Sequence, residues 1–350
     1  MQDQSGNRIR IHASGAHAQR MPLRYPALAG LVAGFADMVQ APHEADLYVF
    51  AHSLDIQAAG QGLVEDWRAR RRPVVLLSEE PFWDTIWARR PLSRRRVLDT
   101  RWGALPVIQL NHHTSTIFDF DHIPYYLLTN HRFAAAYGAH FTRNAQMSPA
   151  AWRAAFAARR TDVAFMFERR PDPFHAMAWP DGDIFGLCSW RTELAEACTG
   201  DGVDRLGSSW RGGPTRFELM NWHLDKLVRL DGRARVLSGI ENTHQPNYIT
   251  EKFFDAFACG ALPLYVAGPG HRVHEFALPG RSWLNLHGMT PAQAAGRIGK
   301  LQWDSALFEA YAGAQQRLAA LFCDTGLWVD ERRRLAGALR RELVQVLDGG

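Results

Sequence analysis

The stretch Glu241-Asn242-Thr243-His244-Gln245-Pro246-Asn247-Tyr248-Ile249-Thr250-Glu251-Lys252 decides how this chain is read. Upstream, Ala234 to Ile240 carries Val236, Leu237 and Ile240 and reads as a buried strand ending at Glu241. Downstream, Phe253, Phe254, Phe257 and Ala258 share one helical face, and Gly260 stands where a helix C-terminus falls. The apolar run Ala261 to Ala267 is the next strand. Strand, polar loop, helix and strand within about thirty residues make a parallel βαβ unit, so the chain is of the α/β class. Tyr248 to Lys252 lies where strand gives way to helix.

Ligands of open α/β sheets bind beyond the carboxyl ends of the strands, where helix N-termini offer free N–H groups to phosphate. A nucleotide fits there. Lys252 adds a cation for a diphosphate, a charge-assisted contact worth about 1.5–3 kcal/mol. Lysine is scarce, occurring only at 226, 252 and 300 against 37 arginines, which sets Lys252 apart from incidental surface charge. Spacing alone leaves a second reading open, in which Thr250 and Glu251 merely start a helix and Lys252 is solvated.

The same stretch resembles the donor-binding motif of glycosyltransferase family 10, the α-1,3/4-fucosyltransferases, where Glu-Asn-Ser/Thr precedes a Tyr-Ile/Val-Thr-Glu-Lys block. The likeness runs on through Ala256, Gly260, Ala261, Leu262, Pro263, Gly268 and Pro269 to Pro279 and Ser282. The resemblance implies a GT-B fold, two Rossmann-like domains with parallel sheets flanked by helices. It also implies GDP-fucose as co-substrate, inversion at the anomeric carbon, no required metal and no cofactor. Carried onto this chain, it puts Glu251 at the fucose, and Asn242, Tyr248 and Lys252, with Ile249 and Thr250 between them, at the GDP.

Composition agrees with a folded chain of two ordinary domains: 350 residues, 47% hydrophobic and 22% charged. The net charge of +4 suits an anionic sugar nucleotide or a membrane surface. It is too diffuse for nucleic acid, and no Lys/Arg run is interleaved with aromatics. Met1 to Arg10 has no apolar core of signal-peptide length, and no stretch reaches the roughly twenty apolar residues of a membrane span. The expectation is a cytoplasmic protein. Cys188, Cys198, Cys259 and Cys323 have no ligand-like spacing and read as reduced thiols.

The first half carries the second informative site. Asp46 to His52 reads as a strand buried on both faces, Leu54 to Arg71 as a helix, and Val74 to Leu77 as a strand delivering Ser78-Glu79-Glu80-Pro81. A carboxylate just past a buried strand is placed for partial desolvation, which raises its pKa towards general-base duty. The family has a similar strand ending in Glu-Ser-Pro, whose Glu is the base; Glu79 is in register with it, and Glu80 replaces the serine. Glu79 and Glu80 are both candidates. Trp102 to His113 is a further strand, followed by Asp119-Phe120-Asp121-His122. That D-x-D, near His112 and His113, permits a metal reading. The run on to Pro124-Tyr125-Tyr126 also resembles the family's aspartate-rich loop, so Asp119, Asp121 and His122 are weak acceptor-binding candidates.

Ala150 to Arg160 reads as a linker helix and Asp162 to Glu168 as the first strand of the second domain. The family's Ser-Asn at that strand end is replaced by Glu168-Arg169-Arg170-Pro171. Arg191, opening a helix to Cys198, resembles the family's diphosphate-binding arginine, ahead of Val203-Asp204-Arg205-Leu206-Gly207. A guanidinium fork can grip two phosphate oxygens. Phe217 to Leu230 is helical by spacing, with Trp222 in the core. Arg272 is either a phosphate contact or a loop residue. Asp330 to Leu347 sets five arginines beside Leu335, Leu339, Leu343 and Val346, so it lies either on an anionic membrane or on the body of the protein.

The expected layout is an acceptor-binding domain over 1–150, a donor-binding domain over 151–328 and a basic amphipathic helix over 329–350. The expected function is inverting transfer of L-fucose from GDP-β-L-fucose to a glycan hydroxyl, by an α-1,3 linkage and on a bacterial surface polysaccharide or lipopolysaccharide precursor. Alternatives are another GDP-sugar, or a GDP-sugar- or glycan-binding protein without turnover. The expected partners are the GDP-sugar and the glycan, with peripheral membrane contact through the last helix as a variant. No residue sets the oligomeric state.

Overall fold

The computed structural model describes residues 8–87, 90–212, 214–215 and 217–349, with Thr85 described by its backbone only. The chain forms two units. The first comprises residues 1–131 and 329–350, the second residues 132–328. The chain thus enters the second unit at residue 132, and the segment from 329 onward belongs with the first unit.

The first unit is built on a six-stranded sheet. Its strands are β1 (Ile9–Ser14), β2 (Ala36–Met38), β3 (Leu47–Phe50), β4 (Val74–Leu77), β5 (Arg95–Thr100) and β6 (Gly103–Leu110), in the order β2-β1-β3-β4-β6-β5. All pairings are parallel except β5 with β6. Both central strands, Leu-Tyr-Val-Phe and Val-Val-Leu-Leu, are wholly buried, as a sheet covered on both faces requires. Strand order reverses between β1 and β3, so the carboxyl ends of β1, β3 and β4 adjoin a topological switch point.

The helix expected over 54–71 is two, Ser53–Gln57 and α1 (Gln61–Arg70), because Gly60 holds extended backbone between them. α1 ends on Arg71 in the left-handed region, φ 55°, and Pro73 then starts β4. Trp67, Leu63 and Val64 of α1 pack on Tyr48, Val74, Leu76 and Val107 of the sheet. The last helix, Thr325–Leu347, buries Leu335, Leu339, Leu343 and Val346. These four side chains are therefore occupied within the protein. Two buried carboxylates on this helix fasten the loop after β6: Glu342 accepts from the Thr116 N–H at 2.8 Å and from Arg94 at 2.9 Å, and Glu331 accepts from the Asp121, His122 and Ile123 N–H groups.

The second unit has its own parallel sheet, β10-β7-β11-β13-β14, formed by β7 (Thr161–Met166), β10 (Val203–Leu206), β11 (Ala234–Ser238), β13 (Leu262–Tyr265) and β14 (Leu284–Asn285). A small antiparallel sheet joins β8 (Ala178–Trp179), β9 (Ile184–Gly186) and β12 (Thr243–His244). Residues 178–186 thus form a hairpin that pairs with the decisive stretch itself. The helices that matter to the site are α2 (His131–Ala145), α3 (Pro149–Ala157), α4 (Cys188–Ala197), α5 (Trp222–Leu230) and α6 (Glu251–Ala258). β11, α6 and β13 are the βαβ unit, with Val236 in register with Leu262. Gly260, φ 72°, ends α6 by turning the chain back to β13, and a Cβ there would meet the Trp152 ring at 3.1 Å. Each unit therefore has its own mainly parallel sheet with helices beside it, the α/β class expected. No helix among the described residues is long and apolar enough to cross a membrane.

Candidate active site

In the second unit the site begins with a close approach. The backbone of β11 continues into Gly239, where a Cβ would lie 2.9 Å from the Lys252 carbonyl and 3.0 Å from Phe253 Cα. Only a glycine lets the start of α6 settle against the strand end. Thr250 is the N-cap, and Glu251 and Lys252 are the first two helical residues.

Glu241, at the strand end, is the anchor of this turn. Its carboxylate accepts the Thr250 N–H at 2.8 Å, the Thr250 hydroxyl at 2.7 Å and the Lys252 ammonium at 2.9 Å. Lys252 also donates to Thr250 Oγ1 at 2.9 Å and lies 3.5 Å from Glu251 Oε1. Its charge is thus shared among groups of the protein. Burial works against that charge, but Glu241 and Glu251 outweigh it and hold the ammonium above its ordinary value.

Glu251 is buried and its Oε2 has no hydrogen-bond partner. Burial pushes its carboxyl up, yet the cations of Lys252 and Lys226 win and hold it below the ordinary carboxylate range. It is an anion with one oxygen unused. Buried acceptors are ordinarily satisfied, so an orphaned one beside a helix N-terminus marks a place for a ligand donor.

The other expected donor residues surround this turn. Ile249 is fully buried, and Tyr248 nearly so, its carbonyl 3.5 Å from the Tyr265 hydroxyl. Asn242 is half-buried, and its carbonyl accepts the Leu187 N–H at 2.8 Å, tying the motif to the start of α4. Arg191 is the fourth residue of α4, not its first. It is buried, donates to the Ile240 carbonyl at 3.1 Å and lies over the Phe167 ring at 4.6 Å. It therefore reaches the carboxyl end of β11 with its plane already set.

A neutral imidazole orders the next loop. His244 Nε2 accepts the Gly268 N–H at 2.9 Å, so Nδ1 carries the proton and donates to the Asp183 carbonyl at 2.8 Å. Burial holds both His244 and His271 below the ordinary histidine value, His271 at about 3. Arg272 forks onto Glu275 at 2.7–3.0 Å. Glu168, in place of the expected Ser-Asn, caps the turn at Ser208 and Ser209 through bonds of 3.0–3.2 Å.

In the first unit Glu79 and Glu80 are employed differently. Glu80 is the N-cap of a single wide turn, Pro81–Thr85, in which the Ile86 N–H reaches the Pro81 carbonyl at 3.1 Å. Its Oε1 faces the Phe82 and Trp83 N–H groups at 3.4 and 3.5 Å, and its Oε2 pairs with Arg20 at 3.1 Å. Glu79 has none of these duties. Its Oε2 is buried without a hydrogen-bond partner, and burial, opposed by Arg20 and aided by Glu80, raises its carboxyl to about 8. Its carbonyl is clamped by the Tyr125 hydroxyl at 3.0 Å and by His112 Nε2 at 3.3 Å.

Asp121 and His122 are exposed and Asp119 is half-buried, on the loop whose backbone Glu331 holds. Among the described residues no group of three or more His, Cys, Asp or Glu side chains is placed to hold a metal ion. The sequence reading missed Glu241 as anchor, Arg20, His112 and Tyr125 around Glu79, and the Lys226–Asp255 pair beneath Glu251. The scarcity of lysine was the one signal that pointed at Lys226.

A sequence model described as "Glycosyltransferase family 10 (fucosyltransferase) C-term" matches residues 221–323, the segment from α5 to the helix Ser305–Phe322. Nothing among curated proteins matches the chain. Solved structures similar to it include "Crystal Structure of alpha1,3-Fucosyltransferase with GDP-fucose", at 14% identity over 89% of this chain and 83% of that one, with a TM-score of 0.44. Two more are "Crystal Structure of alpha1,3-Fucosyltransferase with GDP", at 14% identity, 95% and 83% coverage and a TM-score of 0.38, and "Crystal Structure of alpha1,3-Fucosyltransferase", at 13%, 95% and 83%, and 0.41.

Proposed function

We propose that this chain, whose residues 221–323 match the glycosyltransferase family 10 model, is a sugar-transferring enzyme that moves L-fucose from GDP-β-L-fucose to a hydroxyl of a glycan acceptor with inversion. The observation that carries the donor assignment is the orphaned, ionised carboxylate of Glu251 at the start of α6. A sugar hydroxyl supplies the donor that Glu251 Oε2 lacks, and the fixed negative charge favours positive charge developing at the anomeric carbon.

Glu79 is the proposed base. It takes the proton of the acceptor hydroxyl as that oxygen forms its bond to C1, and the C1–O bond to GDP breaks with its electron pair leaving on the diphosphate. A carboxyl near 8 is matched to this work, since the base is a strong one when ionised. The negative charge that grows on the diphosphate is met by Arg191, Lys252 and the N–H groups at the start of α6. Lys252 does this as a cation shared with Glu241 and Glu251. Asn242, Tyr248, Ile249 and Thr250 shape the nucleotide's seat, and the loop of Asp119, Asp121 and His122 is assigned to the acceptor. The proposed acceptor is a surface polysaccharide or lipopolysaccharide precursor.

The test is a transfer assay with radiolabelled GDP-fucose, GDP-mannose and UDP-galactose against lactosamine-type and lipopolysaccharide-derived acceptors, in EDTA, with the product linkage read by NMR. Label moving from GDP-fucose alone, to give an α-linked product, is the expected result. Transfer from another donor, or none from any, would overturn the assignment.

A further inference from the structure

Two of the three lysines in this arginine-rich chain lie in one buried cluster of the second unit. Lys252 has been described. Lys226, on the inward face of α5, is 7% exposed, and its Nζ lies 2.7 Å from Asp255 Oδ2. Asp255 is fully buried one turn into α6. Its other oxygen accepts the Tyr137 hydroxyl of α2 at 2.8 Å and meets His223 Nε2 of α5 at 2.8 Å. The same Tyr137 hydroxyl is 3.2 Å from the carbonyl of Glu251. Three helices thus converge on one carboxylate directly beneath the donor motif.

Glu241, Glu251 and Asp255 are three buried carboxylates around two ammoniums and the imidazole of His223, which sits on Asp255. Glu241 takes Lys252 at 2.9 Å and Asp255 takes Lys226 at 2.7 Å, leaving Glu251 with the 3.5 Å contact to Lys252 and an oxygen that bonds to nothing. Glu251 and Asp255 are four residues apart and so lie on the same side of α6. Two unscreened anions at that spacing compete for the same cation. An ammonium, a compact charge, suits a single carboxylate oxygen in a space already filled by Tyr137 and His223, where a guanidinium fork would need room for further partners.

We propose that Lys226 is a positioning residue of the donor motif: by pairing with Asp255 it leaves Glu251 as the one carboxylate of the cluster with capacity for a ligand, and so governs how the sugar end of the donor is held. This rests on the assignment of Glu251 to the donor sugar. Removing Lys226 alone leaves Asp255 drawing on Lys252 and on the proton uptake of the cluster, which degrades Glu251. Removing the Asp255 charge alone frees Lys226 to close on Glu251 and occupy its unused oxygen. Removing both charges restores the starting condition.

The test is a double-mutant cycle of Lys226→Met and Asp255→Asn in the full chain, with affinities for GDP-fucose and for GDP measured by calorimetry. Each single variant is expected to weaken GDP-fucose about tenfold or more while leaving GDP within about threefold, and the double variant to regain most of the loss. Equal losses for GDP-fucose and GDP, or a double variant worse than either single one, would show a structural pair and overturn the proposal. If one single variant fails to fold, the other with the double variant still decides. Wild-type protein that does not bind GDP-fucose would sink the donor assignment itself, a result separate from either of these.

Discussion

The carboxylate of Glu80 is paired with Arg20 at 3.1 Å, while the carboxylate of Glu79, its neighbour, is buried with an oxygen unpartnered. Adjacent glutamates that look alike in sequence therefore have separate uses. Glu79→Gln is expected to lower kcat by about 10²–10⁴-fold with little change in KM for GDP-fucose. Glu80→Gln is expected to retain turnover within about tenfold and to lose up to about 1 kcal/mol of stability with the Arg20 ion pair, since the amide oxygen still accepts at the cap. Initial rates and thermal melts of the two variants check both statements.

The pH behaviour follows from the raised Glu79 carboxyl, pushed to about 8 by burial. As a base it must be ionised, so kcat/KM is expected to rise with pH through about 8 and to level off above it. Stability runs the other way. The folded-state value exceeds the unfolded one of 4.5, so this group's stabilising contribution is complete below about pH 4.5 and is lost as pH rises through about 8. Arg20→Met removes the cation that draws the value down and moves the rate limb to higher pH. Rate profiles and denaturant melts across pH 5 to 9 read both effects.

Lys252 and Glu241 are each other's main counter-charge. Lys252→Met leaves Glu241 buried and uncompensated. It is expected to destabilise the fold by about 3 kcal/mol, towards the lower end for a broken buried pair because the Lys252 side chain keeps some exposure. Lys252→Met with Glu241→Gln is expected to lose less than Lys252→Met alone. Urea titrations of the three proteins give the comparison.

Gly239→Ala places a Cβ 2.9 Å from the Lys252 carbonyl. The contact is with backbone, so α6 must shift. The expected result is a loss of about 1–3 kcal/mol and weaker GDP-fucose binding, since the Glu251 turn moves with the helix. Melts and donor calorimetry of this variant check it.

The βαβ unit was legible because Val236, Leu237 and Ile240 before the loop and the phenylalanine face after it have different periods, and Gly260 closes the helix between the strands. That Thr250 to Lys252 open a helix was legible as well. The turn's internal bonding was not: Tyr137 reaches Asp255 across 118 residues of sequence, a contact that no local spacing records. Short elements failed for local reasons. Gly60 breaks a helix whose apolar spacing continues across it, and Arg95–Thr100, an exposed edge strand, has too few buried positions to show a pattern. The pairing of β9 with β12 joins Thr243 to Gly186 and His244 to Phe185, far apart in sequence, so no local spacing announces the hairpin. The basic face of the last helix was visible, but its buried carboxylates Glu331 and Glu342 bond to residues 210 and 226 positions earlier, which no local spacing records.

The central claim is that Glu251 holds the sugar of a GDP-fucose donor. Calorimetry of GDP-fucose and of GDP with wild-type protein and with Glu251→Gln, in EDTA, tests it most directly. Tight GDP-fucose binding by the wild type, weakened by the substitution while GDP affinity stays the same, is the predicted result. Equal affinities of both proteins for GDP-fucose, or no binding of either guanosine nucleotide, would contradict it.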